Sequence, residues 1–246
     1  MSRPLVLFTD FGTSGPYVGQ MRAVFAMHAP QVPVIDLMGD APAFNPRASA
    51  YLLAALLPEM PPDAVVVAVV DPGVGSDRTP MVAQADGRLL VGPDNGLFAP
   101  ALRRVRDARA WQITWRPQRL SVTFHGRDLF APVGARLAVG KSPEEAGAER
   151  MAVPLRPDWP DDLAEIVYVD PYGNAMTGLR AGCVAEGAAL VVGAKRVTHA
   201  ATYSVVPSGT AFWYVNSIGL VELAVAQGSA ADVLGLRIGS EIEVMR

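Results

Sequence analysis

The chain has 246 residues, half of them apolar and 18% charged, with 21 basic against 24 acidic side chains and a formal net charge of −3. That length accommodates one large domain or two modest ones, each with its own core, and the composition excludes a disordered or fibrous chain. The charge balance leaves no footprint for nucleic acid or an anionic membrane, and the single cysteine, Cys183, excludes an intrachain disulfide and a thiolate metal cluster and points to a cytoplasmic location.

The start of the chain carries too few apolar residues before Asp10 for a signal-peptide core. The segment Leu5–Thr9 reads as a buried strand that delivers Asp10 to a loop containing Gly12 and Gly15. Val18, Met21, Val24 and Phe25 recur at helical spacing over residues 17–27, and Pro30 stops the pattern. Residues 32–37 predict a second strand, 47–57 a second helix, and the valine run 64–70 a third, fully buried strand. The runs 51–57 and 64–70 are the longest apolar stretches, far short of the ~18 residues a membrane span needs. Strand and helix alternating in this way predict an α/β layer around a mostly parallel sheet.

Beyond it, residues 81–85 and 88–91 flank Asp86-Gly87, a hairpin signal. A further helix is predicted over 129–139, and from Lys141 the chain turns proline-rich, charged and aperiodic, as linkers do. After Glu165 the apolar runs are short, strand-like and punctuated by glycine. The expected organisation is an N-terminal α/β domain (1–150), a linker (151–163) and a smaller, mostly β, barrel-like C-terminal domain (164–246).

No Walker loop, no G-x-G-x-x-G after a strand and no G-x-S-x-G elbow is present, and the histidines at 28, 125 and 199 have no metal-ligand spacing. Polar clusters instead sit where strands end. Asp10 and Phe11 follow the first strand, at the crevice where open α/β sheets bind ligands; a carboxylate there accepts the hydroxyls of a ribose or serves only a turn. Asp71-Pro-Gly-Val-Gly-Ser-Asp-Arg78 follows the valine strand, and Arg78 folds back on Asp71 either as part of a site or as a structural ion pair. Asn95 lies in Gly92-Pro-Asp-Asn-Gly96, whose residues all favour turns. Thr123-Phe124-His125-Gly126-Arg-Asp128 places a histidine ahead of a helix, catalytic or structural. Asp170-Pro-Tyr172-Gly-Asn174 and Asn216-Ser217-Ile-Gly-Leu-Val-Glu222 read equally as β-turns or as site segments.

Taken in order, Thr9-Asp-Phe-Gly, Asp71-Pro-Gly-Val-Gly, Pro93-Asp-Asn-Gly-Leu, His125-Gly-Arg-Asp, Tyr172-Gly-Asn and Asn216-Ser-Ile-Gly-Leu-Val-Glu resemble the S-adenosylmethionine hydroxide adenosyltransferases, relatives of the fluorinase and chlorinase enzymes. The resemblance covers nearly the whole chain. It implies that Asp71, Arg78 and His125 handle a water, that Asp10 grips the ribose, and that Phe44 and Phe124 wall the nucleoside. It further implies that Asp170, Tyr172 and Asn174 meet the methionine and nucleoside, that Ser217, Glu222 and Val225 border the adenine, and that Phe11, Asn95 and Gly126 complete the substrate-binding set. Family members are homotrimers whose sites lie between the N-terminal domain of one subunit and the C-terminal domain of the next. No cofactor, metal, nucleic acid or membrane is implied; the partner is the small-molecule substrate.

Three departures from the halogenating relatives favour water as the nucleophile: Gly126 where they carry serine, Asp71 where they carry tyrosine, and a short stretch around residues 86–97. A carboxylate repels a halide and accepts a hydrogen bond from water. The implied reaction splits S-adenosylmethionine into adenosine and methionine, with the (R) sulfonium epimer a possible preferred substrate. In it Asp71 and His125 take the water's proton and Arg78 stabilises the developing hydroxide. The rival readings are a halide-using adenosyltransferase, a methyltransferase (which lacks its glycine-rich loop here) and a protein that binds adenosine or S-adenosylmethionine without turnover.

Overall fold

A computed structural model describes residues 2–245, and the chain divides into two compact units, one ending at Pro157 and the other beginning at Asp158. The first unit runs β1 (Leu5–Thr9), α1 (Tyr17–His28), β2 (Val34–Met38), α2 (Pro46–Leu56), β3 (Val65–Val69), β4 (Pro80–Ala85), β5 (Arg88–Pro93), α3 (Ala99–Arg103), β6 (Arg109–Ile113), a π-helical turn (Gly126–Phe130), α4 (Ala131–Ala138) and β7 (Ala148–Met151). Its seven strands lie in the order β2-β1-β3-β5-β4-β6-β7.

The sheet is half parallel rather than mostly so. Strands β2, β1, β3 and β5 run parallel, whereas β4, β6 and β7 join antiparallel. The cause is the Asp86-Gly87 turn, where both residues take positive φ (48° and 80°), so the chain returns directly beside β5 instead of crossing over through a helix. A second correction concerns the proline-rich stretch from Lys141: within it, β7 pairs with β6 over four residue pairs. It has one wholly buried residue, Ala148, so it carries almost no apolar pattern to read.

Parallel central strands need cover on both faces, and Leu5–Thr9 and Val65–Val69 are buried at every position. On one face Leu5, Leu7, Val65, Val67 and Val91 pack against Met21 and Phe25 of α1 and Val133 and Leu137 of α4. Helices α2 and α3 pack on each other, with α3 against β4. Helix α2 starts as its sequence dictates: Asn45 Oδ1 accepts from the Ala48 N–H at 3.0 Å, and Pro46 follows the cap.

The second unit contains β8 (Leu163–Val169), β9 (Ala175–Arg180), β10 (Ala189–Val192), β11 (Lys195–His199), β12 (Ala211–Val215), β13 (Leu220–Val225), α5 (Ala230–Leu234) and β14 (Glu243–Met245). They form one sheet, β14-β10-β11-β12-β13-β9-β8, antiparallel except where β11 meets β12. The sheet curls until its edges meet: Ile166 N–H donates to Ser240 O, Ile242 N–H to Ala164 O, and Glu165 bridges Glu241. This curl is the barrel-like form the sequence predicts, and it shelters Trp213, Leu223 and Val221.

Gly134 marks the tightest approach of α4 to the sheet, because a Cβ there would lie 2.5 Å from Val67 Cγ2. Gly134→Ala is expected to lower stability by about 1–3 kcal/mol through overpacking, read as a fall in chemical-denaturation midpoint. An unchanged midpoint would show that α4 shifts freely.

Candidate active site

The register of the parallel strands builds the site. Thr9 pairs with Val69, so β1 and β3 end at the same level and release Asp10 and Asp71 side by side at their C-terminal edge. Proximity is also felt electrostatically. Burial lifts the Asp10 carboxyl above its ordinary value, the Phe44 N–H opposes the lift, and the charge of Asp71 adds to it.

Arg78 returns on Asp71 through a loop whose shape depends on Gly75. With φ at +84°, that residue lies where a Cβ would sit 2.7 Å from Val122 O, so only glycine brings the 71–78 loop against the segment that carries His125. Arg78 Nε donates to Asp71 Oδ1 and Oδ2 at 2.8 and 2.9 Å, and Nη2 also reaches Oδ2. The same Nη2 contacts His125 Nδ1 at 2.9 Å, and the Phe130 ring lies 5.2 Å from the guanidinium carbon. Both charged side chains are more than nine-tenths buried, at 9% and 5% exposure. A guanidinium has no acceptor, so His125 Nδ1 accepts and the ring's proton resides on Nε2. Burial depresses the His125 pKa, Arg78 depresses it further, and Asp71 pulls the other way; Arg116 and Asp128 add lesser effects of each sign. His125 is therefore a neutral Nε2–H tautomer near pH 7.

His125 is held by its neighbours in sequence. It caps a π-helical turn in which the Ala131 N–H reaches back to Gly126 O; such turns recur at functional sites. Asp128 accepts from the Ser121 N–H at 2.8 Å and is clamped by Arg127, which lowers its pKa. Gly126 is buried, and a Cβ there would meet Phe124 at 3.1 Å, Phe11 at 3.3 Å and Met21 at 3.4 Å. A pocket of about 350 Å³ is lined by Phe44 and walled by Phe11, Tyr17 and Phe124, which are in mutual edge or tilted contact with centroids 5.4–5.9 Å apart. Asp10, Asp71, His125 and Gly126 line the same pocket.

Phe44 has an uncommon conformation. Its φ is +56°, the residue is 79% exposed, and its N–H donates to Asp10 Oδ2 at 3.0 Å. Left-handed backbone at a bulky residue costs about 1–2 kcal/mol, and strain of this kind gathers at ligand sites.

Not every residue singled out from the sequence reaches a pocket. Asn95 does not line this one; its Nδ2 donates to Val70 O at 2.9 Å and so braces the strand end immediately before Asp71. In the second unit, Asp170, Tyr172, Asn174 and Val225 line a pocket of about 600 Å³ with Tyr203, Gln227 and Gly228. Asp170 shapes its rim by accepting from the N–H groups of Tyr172 and Asn174 and from Asn174 Nδ2. Ser217 lies exposed in the 216–219 turn, away from the wall. Glu222 is 2% exposed and also off the wall, accepting from Tyr214 Oη and Asn216 Nδ2 at 2.7 Å each, and burial raises its pKa. Tyr214 in turn contacts Tyr203 at 3.2 Å, which links Glu222 indirectly to the pocket. Tyr17, Tyr203 and Gln227 belong to no motif in the sequence; Tyr17 reads there only as a helix start. Among the described residues no group of three or more His, Cys, Asp or Glu side chains is arranged to hold a metal ion.

Residues 5–147 match the N-terminal domain model of the S-adenosylmethionine hydroxide adenosyltransferases, and residues 164–243 match their C-terminal domain model. An (R)-S-adenosyl-L-methionine hydrolase of Thermus thermophilus is 39% identical over 99% of this chain and 100% of its own. One from Salinispora arenicola is 38% identical over 99% and 98%. A fluorinase of Actinopolyspora mzabensis is more distant, at 24% identity over the whole chain. Among solved structures, a conserved protein of Thermotoga maritima superposes with a TM-score of 0.89 at 30% identity, over 98% of this chain and 100% of that one.

If the Phe44 backbone is strained in order to hold a ligand wall, Phe44→Gly should raise stability by up to about 1 kcal/mol while weakening ligand binding. Thermal melting with and without ligand measures both. A less stable, fully binding variant would contradict the assignment.

Proposed function

The chain belongs to the S-adenosylmethionine hydroxide adenosyltransferase family, and from that membership we infer that it is a hydrolase splitting S-adenosyl-L-methionine with water at the ribose 5′ carbon into adenosine and L-methionine. The observation that carries this is full-length similarity to proteins named as hydrolases of the (R) sulfonium epimer. The (R) epimer is accordingly the expected substrate. Halide use and binding without turnover are not favoured, since the fluorinase likeness is much weaker than the hydrolase one.

The sulfonium departs as a neutral thioether, so the leaving group needs no acid. The demand falls on the nucleophile, because water has a pKa near ~15.7 and attacks poorly while neutral. Asp71 serves as the base. Arg78 fixes its orientation, and the carboxylate, which lines the pocket, accepts the water's proton as the oxygen–carbon bond forms and the carbon–sulfur pair returns to sulfur. The proton then passes to solvent.

His125 has a different part from the one its sequence context suggests. Its Nδ1 is occupied by an Arg78 donor, which supports a role for Nε2–H as a donor to the developing hydroxide rather than for the ring as a second base. The aromatic wall supports exclusion of bulk water, which strengthens these interactions. Asp10 takes the ribose hydroxyls, Phe11, Phe44 and Phe124 wall the nucleoside, and Asn95 acts by positioning Asp71. Asp170, Tyr172, Asn174 and Val225 contribute ligand contacts from the second unit, with Glu222 and Ser217 acting through backbone and neighbouring groups. No cofactor takes part, the substrate being the activated group itself. The reading extends to a homotrimer, on the strength of the family resemblance, and to the cytoplasm, where a lone cysteine stays reduced.

Asp71→Asn should lower adenosine release by about 10²–10⁴-fold with KM little changed, the size of a lost general base. Full turnover in that variant would remove Asp71 from the mechanism. Chelator treatment is expected to leave the rate unchanged. The depressed His125 pKa sets the pH dependence: the ring stays neutral until below its ordinary value of 6.5, and protonation then ejects Arg78 from Nδ1. The kcat profile should therefore be flat through neutral pH and fall on an acidic limb below 6.5, and in His125→Gln, whose amide oxygen still accepts from Arg78, that limb should move or vanish. A limb unaltered in the glutamine variant would assign it to another group.

A further inference from the structure

A larger cavity of about 720 Å³ lies apart from the pocket just described, lined by Arg88, Arg104, Arg106 and Arg109 with Asp86 and Asp107, over an apolar floor from α2 and α3. It sits at the other end of the sheet. Arg88 opens β5, which runs parallel to β3 with Val65 opposite Leu89, whereas Asp71 follows the C-terminal end of β3. A five-residue strand separates the two by about 17 Å.

The charge in this cavity is under-compensated. Arg88 is 5% exposed, yet among the described residues its Nη1 reaches only Asp86, 3.2 Å away on a carboxylate that is 81% exposed. Nη2 donates to the Met60 and Pro58 carbonyls, and Nε, fully buried, has no acceptor among the described residues. Burying a cation and leaving one of its donors unbonded is unfavourable unless something else neutralises it. Arginine outnumbers lysine throughout this chain, so the residue type alone carries no message; the message is in the guanidinium groups of Arg88, Arg106 and Arg109, which line one cavity against the two carboxylates of Asp86 and Asp107, with Arg88 buried. Planar guanidinium forks match oxyanions in bidentate fashion, and the cavity is of ligand-pocket size.

We propose that this cavity is a second binding site, distinct from the S-adenosylmethionine pocket, for a small multivalent oxyanion of the phosphate or polycarboxylate type. The proposal does not depend on the hydrolase reading. Arg106 and Arg109 are exposed and Arg88 is buried, so the charge is best reversed at the first two, leaving the fold intact.

The test is calorimetric titration of the full-length protein with inorganic pyrophosphate, and separately with citrate, at low ionic strength. Saturable one-site binding is expected, weakened by about tenfold or more in the double variant Arg106→Glu/Arg109→Glu and by added salt. The double variant should keep its thermal midpoint and its rate of adenosine release. Tighter binding of pyrophosphate than of citrate would identify a phosphate site, and the reverse a polycarboxylate site. Absence of saturable binding by either ion, or binding unaltered in a folded double variant, would overturn the proposal. Adenosine release tested alongside keeps a failure here separate from any failure of the hydrolase reading.

Discussion

The buried bond between Arg78 and Asp71 is the constraint from which the first unit's site takes its form. An ion pair more than nine-tenths removed from solvent is a poor source of stability, because desolvation offsets most of the attraction. It is valuable instead for geometry. With Nε spread across both carboxylate oxygens and Nη2 shared between Asp71 and His125, one guanidinium sets the direction of the carboxylate and the tautomer of the imidazole together. Removing Arg78 would leave a carboxylate uncompensated and free His125 to take either tautomer.

Everything around that pair serves to bring three distant segments together. The Thr9–Val69 register aligns two strand ends, Gly75 admits the 71–78 loop to the Val122 carbonyl, and Asn95 anchors Val70. The π-helical turn and the Arg127–Asp128 clamp then hold His125 in reach. These are backbone and packing devices placed on rigid elements, which is how small errors in catalytic geometry are avoided. Phe44 is the exception, a pocket-lining residue at positive φ whose N–H donates to Asp10.

The parts of the molecule that were legible in the sequence are those with a strong local signature. The buried valine strand, the first helix and the Asp86-Gly87 turn all depend on neighbouring residues alone. Strand direction beyond that hairpin does not, so the antiparallel addition of β6 to β4 went unread, as did β7, whose pairing with β6 compensates for a weak apolar pattern. The candidate site followed the same division. Strand-end carboxylates are predictable from position, whereas the Arg78 contact to Nδ1 depends on a tertiary approach, and it alone decides which way the imidazole donates. Tyr17, Tyr203 and Gln227 sit in no motif: Tyr17 opens α1, and Tyr203 and Gln227 lie in turns outside the strands. Asn95, Ser217 and Glu222 show the converse: their motifs are clear, but Asn95 bonds to the Val70 carbonyl, Glu222 to Tyr214 and Asn216, and Ser217 faces solvent.

Attack by water at the ribose 5′ carbon is the central claim, and isotope labelling addresses it directly. Turnover of the (R) epimer in oxygen-18 water, followed by mass spectrometry of both products, should place the label in the 5′ hydroxyl of adenosine and leave methionine unlabelled. Label appearing in homoserine alongside methylthioadenosine would mean that water attacks the amino-acid arm instead, and the account of Asp71 as the base aimed at the ribose would be contradicted.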